Sequence, residues 1–468
     1  MLFSSILISL SLAGISAAQA VAVPKPFALD FEISRPDISK GIQKRDNGSI
    51  FLPLLNDQIV YNAVLELGSS RQKQIVQLDT GSSDLWVVGS NAACLEVGKT
   101  KPAASNTCTS FGSFNTGLSL SFKVNLTIGP FVIEYLDKSG ASGVYGLDSI
   151  LFGNYTIPNM TFGVVNQTSS SNPVFGIGLR NNEASLLNTQ MGTYENFPMQ
   201  LKSLGYIKKT AYSMFLNAAN ATKGSILFGA IDQKKYTGKL FTMPIVEELA
   251  LQVVKNRSLL VKLDLLKIKG KDFSIPISNQ SIAVTLDSGS QVSYFPQAVV
   301  DAISKMMGAK PFKGHEKVQT VDCAYMKLNM TLAFDFSGGV LEMPLSNFVG
   351  NMTSKLCYLG IRNAETSILG DNFLSGAYVV YDYEDMEISI AKASYNTDSQ
   401  IEVISSTVPS AVRVPNYSQT SVASSVSSQV VQTSVSPSGQ TLKSDGHSNV
   451  AGVKIMLFSI FLGAILML

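Results

Sequence analysis

The phrase Leu78-Asp79-Thr80-Gly81-Ser82-Ser83 returns, nearly unchanged, as Leu286-Asp287-Ser288-Gly289-Ser290. In each copy an apolar run (Ile75, Val76, Leu78; Ile282, Val284, Leu286) leads straight into an aspartate, a hydroxyl residue, a glycine and a serine. A run of this kind bounded by turn residues reads as a buried strand that delivers a carboxylate to a tight turn. Solenoid repeats recur at about 20–50 residues, whereas these aspartates stand 208 positions apart. The spacing points instead to two similar lobes, each giving one aspartate to a shared site. The first implication is an enzyme that works with two carboxylates.

Composition narrows the alternatives. The 468 residues leave room for about two to three domains, and 45% hydrophobic content supplies sizeable cores. A net charge of +2 makes no electrostatic case for nucleic acid. The two histidines are His315 and His447, the second in a polar tail. That scarcity nearly excludes a serine–histidine hydrolase or a histidine-ligated zinc site, and no metal or cofactor is expected. The four cysteines, Cys94, Cys108, Cys323 and Cys357, contain no Cys-x-x-Cys pair, which weakens metal and redox readings. Four cysteines allow three disulfide pairings. Cys94–Cys108 with Cys323–Cys357 is favoured because it leaves each lobe self-contained.

In chain order, residues 1–20 read as a secretory signal: an apolar run, then Ala18-Gln19-Ala20 as a small-x-small cleavage site. The segment before the run lacks Lys or Arg, and a buried first helix is the alternative. Residues 21–45 are polar and end in Lys44-Arg45, a dibasic pair suited to removal of a propeptide. Residues 46–240 are expected to form the first lobe and residues 241–398 the second. Both are rich in short β-prone runs, such as 61–67, 119–124 and 378–381, broken by Gly, Asn, Asp and Pro, so the class is mostly β. Helical spacing is clear only near 198–204 and 296–307.

Eleven Asn-x-Ser/Thr sequons, at Asn47, Asn125, Asn154, Asn159, Asn166, Asn220, Asn256, Asn279, Asn329, Asn351 and Asn416, support a glycosylated extracellular protein. They are expected on the surface. Residues 399–445 turn rich in Ser, Thr, Val, Gln and Pro with almost no aromatics, and read as an extended, O-glycosylated stalk. Residues 446–468 read as a GPI-attachment signal removed on maturation. Their final apolar run, 455–468, is shorter than the ~20 residues a spanning helix needs. Ser444 is the attachment candidate, with Gly446 and Asn449 as rivals and a tail-anchored helix as the alternative reading.

Two carboxylates held close cannot both ionise cheaply, so the pair shares one proton over a band of acidic pH. One can then act as base on a water while the other protonates a carbonyl oxygen, with no covalent intermediate. In the turns, Gly81 and Gly289 let the backbone bend tightly beside the carboxylates. Thr80 and Ser288 can donate across the lobe junction, while Ser82 and Ser290 can orient the carboxylates. Either phrase alone is a common turn; the pair is far more specific.

Further stretches carry a family resemblance. Asp84-Leu85-Trp86-Val87 follows the first phrase, and Val174-Phe175-Gly176-Ile177-Gly178-Leu179 and Ser367-Ile368-Leu369-Gly370-Asp371-Asn372-Phe373-Leu374 supply two apolar–apolar–glycine segments. Gly229-Ala230-Ile231-Asp232 through Lys235-Tyr236-Thr237-Gly238 matches the end of a first lobe. With the paired aspartates, these stretches resemble the pepsin-like aspartic endopeptidases over residues 59–391, most closely the fungal GPI-anchored yapsins. The resemblance implies a bilobal pepsin-like fold with the cleft between two β lobes, catalysis by Asp79 and Asp287 at acidic pH, and protein or peptide substrates. It also implies a monomer tethered by a GPI anchor to the plasma membrane or cell wall, where it processes or sheds surface and secreted proteins.

The family's flap, the hairpin that closes over substrate, maps to residues 131–143, with Tyr135 at the flap tyrosine and Ser139 at the flap hydroxyl. Here the chain departs from its relatives. Yapsin-like flaps read Tyr-Gly-Asp-Gly, whereas this chain has Tyr135-Leu136-Asp137-Lys138. Loss of two glycines removes positive-φ freedom and is expected to stiffen the hairpin or change its turn. In the family the Asp137 position helps admit a basic residue before the scissile bond. Lys138 can weaken that attraction by local pairing, or simply point to solvent. Two other readings stand beside the leading one: a catalytically weak, protease-like cell-wall binding protein, suggested by the altered flap, and a freely secreted protease.

Overall fold

The computed structural model describes residues 27–34 and 60–418, with breaks at 99–100, 104–106, 153–154, 171, 219–220, 222, 248–257, 314 and 354–355. The expected signal segment, Lys44-Arg45, Asn47, Asn154, Asn220, Asn256, Ser444 and the GPI-attachment signal lie outside the described residues. The fold is mostly β, as the short alternating runs predict. The two helical patterns appear as Phe197–Ser203 and Gln297–Met306.

Each lobe repeats one strand arrangement around its aspartate. In the first lobe, Gln72–Asp79 runs parallel to Val174–Gly176 with Leu78 opposite Phe175, and Leu85–Cys94 lies antiparallel on its other side. In the second, Ile282–Leu286 runs parallel to Ser367–Leu369 with Thr285 opposite Ile368, and Ser293–Phe295 lies antiparallel with Tyr294 opposite Ile368. Both dyad strands are thus central strands, which explains their apolar character: Val76, Leu78, Val284 and Leu286 are all fully buried.

A floor joins the lobes. Ala211–Phe215 pairs with Lys223–Phe228 from the first half and with Ala377–Asp382 from the second, Ser213 facing Val380. Tyr236–Pro244 extends this floor beside Glu387–Ala393. The expected boundary between 240 and 241 therefore falls inside a strand, because the floor belongs to both lobes. The Cys94–Cys108 and Cys323–Cys357 disulfides are both present, one in each half.

Three segments depart from expectation. Within 119–124, only Lys123–Val124 is strand. The hydroxyls of Ser119 and Ser121 each donate to the Asp148 carboxylate at 2.6 Å, and this side-chain anchoring takes the place of a ladder. The segment 399–418, expected to begin the stalk, is instead packed onto the protein. Ile401–Val403 pairs with Ala230–Asp232, Ala411–Arg413 pairs with Tyr236–Pro244, and Ile404, Val408 and Val414 are buried. Its polar composition hides these few well-placed apolar residues. Third, the strand Phe27–Ser34, inside the expected propeptide, fills the slot between Val60–Leu67 and Lys223–Phe228.

Of the sequons in the described region, Asn159, Asn166, Asn279, Asn329, Asn351 and Asn416 are exposed and Asn125 is partly so. None of these seven is buried.

Candidate active site

The two dyad strands end on opposite sides of the lobe junction and bring their turns face to face. Asp79 accepts hydrogen bonds from Gly81 N–H at 2.7 Å and Ser82 Oγ at 2.9 Å. Asp287 repeats this with Gly289 N–H at 2.7 Å and Ser290 Oγ at 2.8 Å. The hydroxyls of the middle residues cross the junction: Thr80 Oγ1 donates to Leu286 O at 2.9 Å and Ser288 Oγ to Leu78 O at 3.2 Å. Each also accepts the other's backbone N–H, Ser288 N to Thr80 Oγ1 at 3.0 Å and Thr80 N to Ser288 Oγ at 3.2 Å. Eight bonds with near-twofold reciprocity thereby fix two carboxylates from separate lobes.

The glycines are needed for a different reason than backbone freedom. Neither Gly81 nor Gly289 adopts a positive φ. A Cβ on Gly81 would lie 2.7 Å from the Asp287 carboxyl carbon, and one on Gly289 would lie 2.7 Å from Asp79 Oδ1. Each glycine makes room for the opposite lobe's carboxylate.

Both aspartates are 1% exposed, so neither ionises as it would in water. Burial, then the charge of Asp287, holds Asp79 well above the usual carboxylate range, against the pull of Ser82 and Gly81. Burial also raises Asp287, countered by Ser290, Gly289 and its hydrogen bond with Asp79. The two carboxyls therefore titrate as a pair that holds one proton between them. A third carboxyl, Asp371, is raised well above its usual value by burial and by the charges of Asp287 and Asp79.

Several supporting residues carry no signal in the sequence. Gln77 Nε2 donates to Gly289 O at 3.1 Å, and Asn182 Nδ2 donates to Gly81 O at 2.8 Å. Tyr381 OH donates to Leu286 O at 3.2 Å. Their partners lie 95–212 positions away, so only the fold makes them legible.

The flap is a hairpin of Pro130–Glu134 and Gly140–Phe152, with Phe131 opposite Gly143. Tyr135 is buried and its hydroxyl accepts Trp86 Nε1–H at 2.6 Å. Tyr135 N–H donates to Ser139 O at 2.8 Å, and Lys138 N–H donates to Tyr135 O at 2.9 Å. This is a three-residue loop whose last residue is left-handed, and Lys138 adopts φ +69° to make it. At this position, where the resembling flaps have glycine, a lysine bears the strained conformation. Lys138 Nζ pairs with Glu134 at 3.2 Å. Asp137 accepts Ser139 N–H at 2.8 Å and is raised by burial. Ser139, which closes the tip loop opposite Tyr135, is buried.

Comparison with known proteins agrees with this geometry. The family model described as eukaryotic aspartyl protease matches residues 60–393. Aspartic proteinase yapsin-3 of Saccharomyces cerevisiae is 36% identical, the alignment covering 81% of this chain and 75% of that one. Aspartic proteinase MKC7 of the same yeast is 35% identical over 85% and 76% of the two chains. Secreted aspartic protease 10 of Candida albicans is 33% identical over 87% of each. Among solved structures, an aspartic proteinase from Irpex lacteus superposes with a TM-score of 0.59 over 79% of this chain and 99% of its own, at 18% identity. At that identity the likeness speaks for the fold alone.

Proposed function

The chain belongs to the eukaryotic aspartyl protease family, and on that premise we propose that Asp79 and Asp287 are its catalytic pair. It is an aspartic-type endopeptidase. The observation that carries the assignment is the reciprocal bonding of the two turns, which aims two buried carboxyls at one another. Burial and mutual repulsion raise both carboxyls, so the pair holds one proton between them: the protonated member is the acid and the ionised member the base.

The ionised carboxylate then takes a proton from a water as its oxygen attacks the peptide carbonyl carbon, and the protonated carboxyl gives its proton to the carbonyl oxygen. The product of this step is a neutral gem-diol. Its collapse returns a hydroxyl proton to the carboxylate that acted as acid, while the carboxyl that acted as base protonates the departing nitrogen, which restores the starting pair. Replacing either aspartate by asparagine removes an acid or a base, worth about 10²–10⁴ in rate. Normal pepstatin-sensitive cleavage by Asp287→Asn at pH 4–6 would reject the assignment.

The flap supplies the substrate-facing side, with Tyr135, Asp137 and Ser139 as its binding residues. Asp137 supports a preference for Lys or Arg before the scissile bond. Its ammonium neighbour, Lys138, is bonded to Glu134. Because burial raises Asp137, more of it is ionised as pH climbs, so the preference should strengthen from pH 4 to pH 6. A peptide-library profile unchanged between the two would remove Asp137 from this role.

We further propose that the protein follows the secretory pathway to a GPI anchor at Ser444, as a glycosylated monomer that processes or sheds other surface proteins. The secretory signal at 1–20, the sequon density and the terminal apolar run support this, as do relatives named as secreted proteases. Treatment of cells with a phosphatidylinositol-specific phospholipase should release the protein. Appearance in the medium without treatment would point to free secretion instead.

A further inference from the structure

The flap tip does not stand clear of the second lobe. Leu136, which occupies a glycine position in the resembling flaps, packs against a patch made by Val292, Tyr294 and Ile368, with Tyr358 and Ala364 around it. Tyr294 and Ile368 face one another in the strand pair that frames Asp287, so this patch is a wall of the cleft and not a distant surface. The contact is held from both sides of the tip. Behind Leu136, Tyr135 is buried and hydrogen-bonded to Trp86; ahead of it, the Lys138 turn closes onto Tyr135 O. Burial raises the Tyr294 phenol and the charge of Asp137 adds to it, which agrees with a tip lying over that strand.

A glycine at the tip would leave the wall bare. A leucine covers it with a side chain whose own apolar surface is thereby withdrawn from water. An extended substrate threaded between flap and dyad presents alternate side chains to the two walls. One that reaches Val292, Tyr294 and Ile368 meets Leu136 already there. We propose that Leu136 is a specificity-determining residue that fills this wall in the free enzyme, so that an apolar substrate side chain must displace it to bind. The inference deepens the proteolytic reading and rests on it for its kinetic half. Displacement precedes the chemistry, so its cost falls on substrate binding. Substrates with a small residue at that subsite escape it, and those with Leu- or Phe-sized residues bear it in full.

The test uses the full chain, as wild type and as Leu136→Gly and Leu136→Ala, on a peptide series that varies one subsite at a time. For Leu136→Gly we expect KM to fall about five-fold for peptides with a bulky apolar residue at one subsite, with kcat within about two-fold and small-residue peptides unmoved. Leu136→Ala should fall between. A purely structural role in holding the flap would instead raise KM and lower kcat together, and that result overturns the proposal, as does an unchanged KM. The same substitutions in an Asp287→Asn background, read as peptide Kd, separate the two readings. If wild type fails to cleave but Leu136→Gly tightens binding, the competition stands and the proteolytic reading falls. Unaltered Kd with normal wild-type cleavage sinks the competition alone.

Discussion

Glu183 has no part in the dyad, yet it carries a clear pH consequence. It is fully buried, its Oε2 accepts Tyr194 N–H at 2.8 Å, and burial together with the charge of Asp84 pushes it up to about 10. Asp84 in turn accepts the hydroxyls of Tyr145 at 2.8 Å and Tyr194 at 2.7 Å and Ala184 N–H at 2.8 Å, and Arg180 pulls weakly the other way on Glu183. Between the unfolded value of 4.5 and about 10 the folded protein holds a proton that the unfolded chain has lost. The contribution is therefore fully present below 4.5 and declines by about 1.4 kcal/mol per pH unit above it. Glu183→Gln should flatten the fall in denaturant midpoint between pH 4.5 and pH 7, and parallel curves for variant and wild type would refute this. The contrast with the dyad shows what a sequence reveals at this scale. Asp79 and Asp287 are legible because their turns and strands are contiguous with them. Glu183, Gln77 and Asn182 acquire meaning only from neighbours the fold brings, and their local sequence is unremarkable.

At the scale of elements, the flap turn bears a strain that can be measured. Lys138 sits at φ +69°, where an L-residue costs about 1–2 kcal/mol relative to a right-handed conformation and glycine costs little. The Lys138–Glu134 pair is exposed on both sides, and such pairs contribute little. Lys138→Gly should therefore raise stability by about 0.5–1 kcal/mol in urea unfolding. A loss of stability would mean that the lysine makes a contact of greater value than the turn costs. The turn's geometry was not legible in Tyr135-Leu136-Asp137-Lys138, since residue type argues against a left-handed fourth position and the paired strands impose it. Elements with strong internal pattern fared better. The runs at 61–67 and 378–381 fall inside Val60–Leu67 and Ala377–Asp382, and the helix patterns fall on Phe197–Ser203 and Gln297–Met306. Residues 119–122 alternate like a strand, but serine hydroxyls bonded to Asp148 hold them otherwise.

Across the whole molecule, two segments that composition assigns to flanking regions are built into the shared floor. The tail 399–418 buries Ile404, Val408 and Val414, and the Ser406 carbonyl accepts from Lys209, which also bonds Asp382 and Asp385. Burial of an aliphatic side chain is worth about 1.5–3 kcal/mol, so a chain ending at 398 should melt well below one ending at 418. Equal melting temperatures would return the boundary to 398. The strand Phe27–Ser34 poses the larger question, because it lies on the far side of Lys44-Arg45 from the first lobe. It pairs Leu29 with Ile226 and Ile33 with Tyr61, joining two strands that are both first-lobe members of the floor sheet. Without it, Val60–Leu67 and Lys223–Phe228 each present an open edge in the middle of the sheet, an arrangement that invites pairing with other chains. The segment is therefore expected to serve assembly of this sheet. A chain starting at 46 should refold in lower yield and with more aggregation than one starting at 21, and synthetic peptide 21–45 added in trans should restore much of the yield. Equal recovery of acid-pH activity from both chains would show that the slot can be closed without that strand.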